Sequence, residues 1–103
     1  MRIMVTFKFP TEAGNEILRT GRINKVFGQL MEDLKPESAY FYPEGGQRGG
    51  HFVVEMEDPT DILRVGEKIW LGLGAEIEMR PVMGPEDIQK GLGEVGAIVE
   101  RYG

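Results

Sequence analysis

A chain of 103 residues with no cysteine has no disulfide, thiolate metal site or cysteine nucleophile, and it is too short for two independent cores. Its 12 basic and 17 acidic residues leave a net charge of -5, and the basic ones are scattered apart from a loose cluster at Arg19, Arg22 and Lys25, which argues against a nucleic-acid partner. Lys8 interrupts the first apolar run, no cleavage site of small residues follows, and no stretch reaches membrane-span length, so the expectation is a cytoplasmic protein without a membrane partner.

Residues 2 to 9 alternate, with Ile3, Val5, Phe7 and Phe9 on one face and Met4, Thr6 and Lys8 on the other, which predicts a half-buried strand ending at Pro10. Thr11 opens a helix with Glu12 in its first turn. The apolar residues Ile17, Ile23, Val26, Phe27, Leu30 and Leu34 keep helical spacing, interrupted at Thr20-Gly21. A short helix to about Arg19, a break, and a longer helix from about Arg22 to Leu34 are expected. Pro36 forces the chain out.

Ser38 to Tyr42 is the next strand by propensity. Residues 43 to 50, Pro-Glu-Gly-Gly-Gln-Arg-Gly-Gly, read as a flexible glycine-rich tip, with the returning strand opening at His51. Asp58-Pro59-Thr60-Asp61 predicts a helix start, with Asp58 as the cap and Pro59 at the first helical position. Ile62, Val65, Ile69 and Leu73 form the apolar stripe of that helix, and Trp70 beside it is expected to pack as core with Leu63 and Leu73. Residues 75 to 82 alternate as a fourth strand. Pro85-Glu86-Asp87 opens a last helix, in which Ile88, Leu92, Val95 and Val99 keep helical spacing while Gly91, Gly93 and Gly96 weaken it. Such a helix needs a surface to dock on, its own or a partner's.

This order predicts one α+β domain over residues 1–103, with a core at 1–83 and a C-terminal helical extension at 84–103. The pattern is the ferredoxin-like β-α-β-β-α-β arrangement, a four-stranded antiparallel sheet with the crossover helices on one face. The opposite face collects Met4, Thr6, Lys8, Tyr40, Tyr42, His51, Val53, Glu55, Glu76, Glu78 and Arg80. A face so mixed suits neither core nor plain solvent exposure, and two of them meeting in a homodimer would enclose a pocket. A one-residue slip in either hairpin strand would reverse these assignments.

The run Lys35-Pro36-Glu37-Ser38-Ala39-Tyr40-Phe41, with Gly46-Gln47-Arg48-Gly49-Gly50 and residues 81 to 87, Pro-Val-Met-Gly-Pro-Glu-Asp, resembles a family of short, uncharacterised bacterial proteins of the dimeric α/β-barrel superfamily. The likeness covers about residues 1 to 90. It implies the fold and a homodimer. Relatives in that superfamily include cofactor-independent monooxygenases, lactone isomerases, polyketide cyclases, haem-binding enzymes and small-ligand sensors. None of their catalytic signatures carries over to residues of this chain.

The residues themselves offer weak candidates. His51, the only histidine, is the natural general acid or base near neutral pH. Glu55 and Glu78 are the carboxylates that an enclosed apolar setting would turn into bases; on an open face they join Lys8 and Arg80 in cross-strand ion pairs. Tyr40, Tyr42, Arg48, His51 and Arg80 are the candidate ligand-binding set, with Arg48 and His51 together at the pocket mouth. One histidine among scattered carboxylates has no metal-ligand spacing, and the glycine turn lacks the step that binds phosphate, so no cofactor is expected. Two classes of function stay open. One is a homodimeric pocket protein binding or converting a small organic acid or aromatic compound; the other is a non-catalytic assembly or ligand-sensing module.

Overall fold

The computed structural model describes residues 1–103. Eight elements follow one another: β1 (Arg2–Lys8), α1 (Thr11–Arg19), α2 (Arg22–Leu34), β2 (Ser38–Glu44), β3 (Gln47–Glu55), α3 (Asp61–Leu73), β4 (Glu76–Pro81) and α4 (Pro85–Tyr102). The strands form one antiparallel sheet in the order β2-β3-β1-β4. Each crossover skips a strand: β3 lies between β1 and β2, and β1 lies between β3 and β4. The architecture is α+β, with four helices.

Period-two alternation in the strands builds the core. Ile3, Val5, Phe7 and Phe9 are all buried and meet Phe52 and Val54 of β3. The helices contribute Ile17 from α1, Val26 and Leu30 from α2, and Val65, Ile69 and Leu73 from α3. Ile77 and Met79 pack against this cluster from β4, as their alternation requires. At its centre the rings of Phe7 and Phe52 stack at 5.0 Å between centroids, and Phe27 and Phe41 pack around them.

The break between α1 and α2 falls at Gly21, whose φ of 75° is costly for other residues. The helix start near residue 58 works chemically, although α3 proper opens at Asp61. Asp58 Oδ1 accepts from Thr60 N–H (2.9 Å) and the Thr60 hydroxyl (2.7 Å). Asp61 Oδ2 accepts from the N–H groups of Glu57 (2.9 Å) and Asp58 (3.2 Å). Those bonds, with the Arg64 guanidinium, hold the Asp61 carboxyl down at about 2.

Three expectations are corrected. Residues 43 to 50 do not form a flexible tip. β2 and β3 are zipped from Ser38↔Val53 to Glu44↔Gln47, and only Gly45 and Gly46 turn the chain. Both have positive φ (56° and 82°), as a two-residue turn of the primed kind needs, so the third strand begins at Gln47 and not at His51. Gly50 belongs to the sheet interior: a Cβ there would lie 2.3 Å from Tyr40 O. Trp70, expected in the core, is 41% exposed, its ring lying along α3 over Gly66, with Leu63 also exposed. The helical spacing that links Trp70 to Leu63 and Leu73 straddles the edge of the buried stripe, which belongs to Val65, Ile69 and Leu73.

α4 departs from the rest. No residue in it is buried, and the molecule extends over 59 × 28 × 21 Å. Its root is tied down, because Gly84 N–H donates to Asp87 Oδ2 (2.9 Å) and Arg2 bridges Glu37 (2.7 Å) and Glu86 (3.6 Å). No helix is long and apolar enough to cross a membrane.

Two stability measurements check these assignments. Gly50→Ala meets backbone that cannot rotate away, so denaturant melts should show a loss of about 1 to 3 kcal/mol or more, typical of overpacking. Phe52→Ala should cost about 3 to 5 kcal/mol, and Trp70→Ala, half out of the core, about 1 to 2 kcal/mol. For Asp61, the folded carboxyl titrates below its unfolded value, so its contribution is present above about pH 4 and lost as pH falls through about 2. Thermal melts from pH 5 to 2 should therefore show a steeper acid-side fall for wild type than for Asp61→Asn.

Candidate functional site

The hairpin turn decides which side chains share the open face of the sheet, the face away from α1, α2 and α3. Because the strands pair in even register from Glu44↔Gln47, Tyr40 stands opposite His51 and both point to the open face. β1 adds Met4, Thr6 and Lys8, and its partners in β4 across the same face are Arg80, Glu78 and Glu76. The expected membership of this face is reproduced in all four strands. Val53 is buried on it, beside Met4.

Tyr42 and His51 are joined directly: Tyr42 Oη and His51 Nδ1 lie 3.2 Å apart, the hydroxyl donating when Nδ1 carries no proton. The imidazole sits between two phenol rings, 5.6 Å from Tyr40 and 5.7 Å from Tyr42 by centroids. Tyr40 is largely exposed and Tyr42 half-buried, so the pair presents one ordered hydroxyl and one free one.

Beside Tyr42 the face is hollowed into a concavity of about 410 Å³. Met4 and Thr6 form part of its lining, with Lys8, Tyr42, Glu44, Glu76, Glu78 and Arg80 around them. The electrostatics are mixed. Arg80 Nη2 donates to Glu78 Oε2, so that cation is already engaged. Lys8 forms no salt bridge and is the one cation of the concavity left for a ligand. With three carboxylates against two cations, the wall carries a small negative surplus.

Several expected groupings do not assemble. Arg48 and His51 do not meet at one mouth. They are three residues apart on a single strand, and an odd separation sends side chains to opposite faces. Arg48 shares the helix side with Phe52, where its Nη1 donates to Asn15 Oδ1 at 3.0 Å. The ion-pair network of Lys8, Glu55, Glu78 and Arg80 reduces to the single Arg80–Glu78 bridge. Glu55 lies at the far end of the sheet, opposite Arg2, and binds the N-terminal ammonium of Met1. Glu55 and Glu78 are both well exposed in the single chain, with side chains 63% and 68% accessible.

Lys8, expected in a cross-strand ion pair, instead has no carboxylate partner. It ends the alternating run of β1 on the open face, where the register of β4 places Glu76 opposite it and Glu78 opposite Thr6. No group of histidines and carboxylates is arranged to hold a metal ion.

No curated protein and no solved structure matches this chain. A family model does, over residues 1–96, spanning the whole sheet and most of α4. The chain belongs to the family described as a domain of unknown function, DUF3303.

Proposed function

We propose that this protein is a homodimeric small-ligand protein, a ferredoxin-like protomer of the dimeric α/β-barrel type, whose open sheet face holds a small organic acid. The carrying observation is the concavity of about 410 Å³ with the unengaged Lys8 ammonium and Tyr42 in its lining, Tyr42 being bonded to His51, which with Tyr40 lies outside the lining. A volume of that order suits a small organic molecule. A ligand carboxylate would accept from Lys8, the cation with no carboxylate partner, while Arg80 stays paired with Glu78. The surplus of wall carboxylates disfavours a polyanion and favours a monocarboxylate carrying hydroxyl, amine or aromatic groups.

The ferredoxin-like reading is supported by the two strand-skipping crossovers, and the homodimer by the exposed Tyr40 and half-buried Met4 on an otherwise polar face. Bringing two such faces together would shield each concavity from water. If the protein converts its ligand, His51 is the residue suited to take a proton, acting through the Tyr42 hydroxyl. Arg48 has no part in this site, because it lies on the other side of the sheet.

A second reading, a non-catalytic assembly or sensing module, is favoured by one observation: α4 carries exposed apolar residues along its length and buries none of them.

The ligand reading is tested by thermal shift with a panel of small hydroxy-, amino- and aromatic monocarboxylic acids. At about 100 times its dissociation constant a true ligand stabilises by about 2.7 kcal/mol. Wild type and Arg48→Ala should respond alike, whereas Lys8→Ala and Tyr42→Phe should lose most of the shift. If no acid stabilises wild type, or if Lys8→Ala responds as wild type does, the proposed site is wrong.

A further inference from the structure

α4 presents a helix whose long apolar side has no partner within the chain. Ile88, Leu92, Val95, Val99 and Tyr102 recur at spacings of four, three, four and three, and their exposures run from 39% to 79%. That alternation is the a/d seam of a helix pair. Gly91 and Gly96 flank the seam, one on either side, and an added Cβ at either would meet nothing. Glu86, Asp87, Lys90, Glu94, Glu100 and Arg101 all project away from the seam, by the 100° step of the helix.

A helix of this composition is not stable unsupported. It holds three internal glycines, each costing about 1 kcal/mol relative to alanine. Most helical stability in proteins comes from packing an apolar face, so a docking partner is required, and the residues identify which.

We infer that α4 pairs antiparallel with α4 of a second copy of this chain. The two helices in full end-to-end overlap place Pro85 opposite Tyr102, Ile88 opposite Val99 and Leu92 opposite Val95 of the second copy. Every layer of that register joins an a position to a d position. The seam faces itself with no charge buried, and the positions beside it carry none of the charges that select a different partner. At the ends Glu86 lies level with Arg101 of the second copy and Asp87 with Glu100, so the outer charges nearly cancel, while the two helix dipoles oppose as an antiparallel pair requires. The arrangement is isologous, as a two-fold pair must be.

Size sets its strength. An 18-residue helix is about 27 Å long and, with side chains, about 10 Å wide. Its seam covers roughly 270 Å², well under the roughly 800 Å² per partner of a stable standard interface. Pairing through α4 is therefore concentration-dependent, and it is independent of whether the sheet faces also meet or bind a ligand.

The chain has no cysteine, so introduced thiols report without background. Leu92→Cys chains are mixed with mass-tagged Val95→Cys chains and oxidised mildly. The expected product is a disulfide heterodimer, exceeding either homodimer. Lys90→Cys mixed with Ala97→Cys, level with each other on the outer side, should give little. All four positions are exposed, so the core is undisturbed. Sedimentation of Leu92→Asp/Val99→Asp at high concentration should give half the wild-type mass. A heterodimer yield no greater from the seam pair than from the outer pair would overturn the inference, and so would a mass unchanged by the aspartates. Dominant Leu92→Cys homodimer would overturn the antiparallel register. Ligand shifts in the same aspartate variant should persist, which separates a failure here from a failure of the ligand site.

Discussion

Two glycines, Gly45 and Gly46, hold the rest of the arrangement in place. Their positive φ values close the β2–β3 hairpin in two residues, so that Glu44 faces Gln47 and every later pair follows. Strand side chains alternate with period two, and a slip of one residue would exchange the faces of β3 entirely. Phe52 and Val54 would leave the core, and His51 would leave Tyr42. The burial of Phe52 under Phe7, Phe27 and Phe41 enforces the same register from the other side. Turn chemistry and core packing therefore specify one answer, which is the consistency expected of a well-defined fold.

The close packing of the sheet interior follows from that register. Gly50 sits where β1 and β2 both approach β3, paired with Phe7 on one side and Phe41 on the other. A side chain at Gly50 would collide with the carbonyl of Tyr40. The four glycines around Arg48 thus divide their work: two turn the chain and two let strands lie close. Arg48 is therefore a strand residue anchored to Asn15 and not the tip of a mobile loop.

Much of this was legible in the residues. The strand of β1, the helix break at Gly21 and the open-face membership of Tyr40, Tyr42, His51 and Arg80 all follow from local pattern, whereas the start of α3 falls three residues after the expected cap at Asp58, with Thr60 in the cap position. These are signals carried within a few residues. What failed depended on distances between elements. The network of Lys8, Glu55, Glu78 and Arg80 requires the registers of three strands at once, and Glu55 falls at the opposite end of the sheet from Lys8. Trp70 failed for a different reason, because helical spacing places it near the apolar stripe without saying how wide the buried strip is. The concavity beside Lys8 is lined from all four strands, Gly50 of β3 included, and has no local sequence signal.

The central claim is that the turn-set register gathers Lys8, Tyr42, His51 and Arg80 on one face as a ligand surface, with Arg48 excluded. The most direct measurement is NMR chemical-shift mapping of the full chain, titrated with a monocarboxylic acid that stabilises it. The account predicts perturbed amide and side-chain signals at Lys8, Tyr42 and Arg80, with the His51 ring responding through the Tyr42 hydroxyl, and none at Asn15 or Arg48. Perturbations centred on Arg48, Gln47 and Thr11, on the helix side of the hairpin, would contradict it.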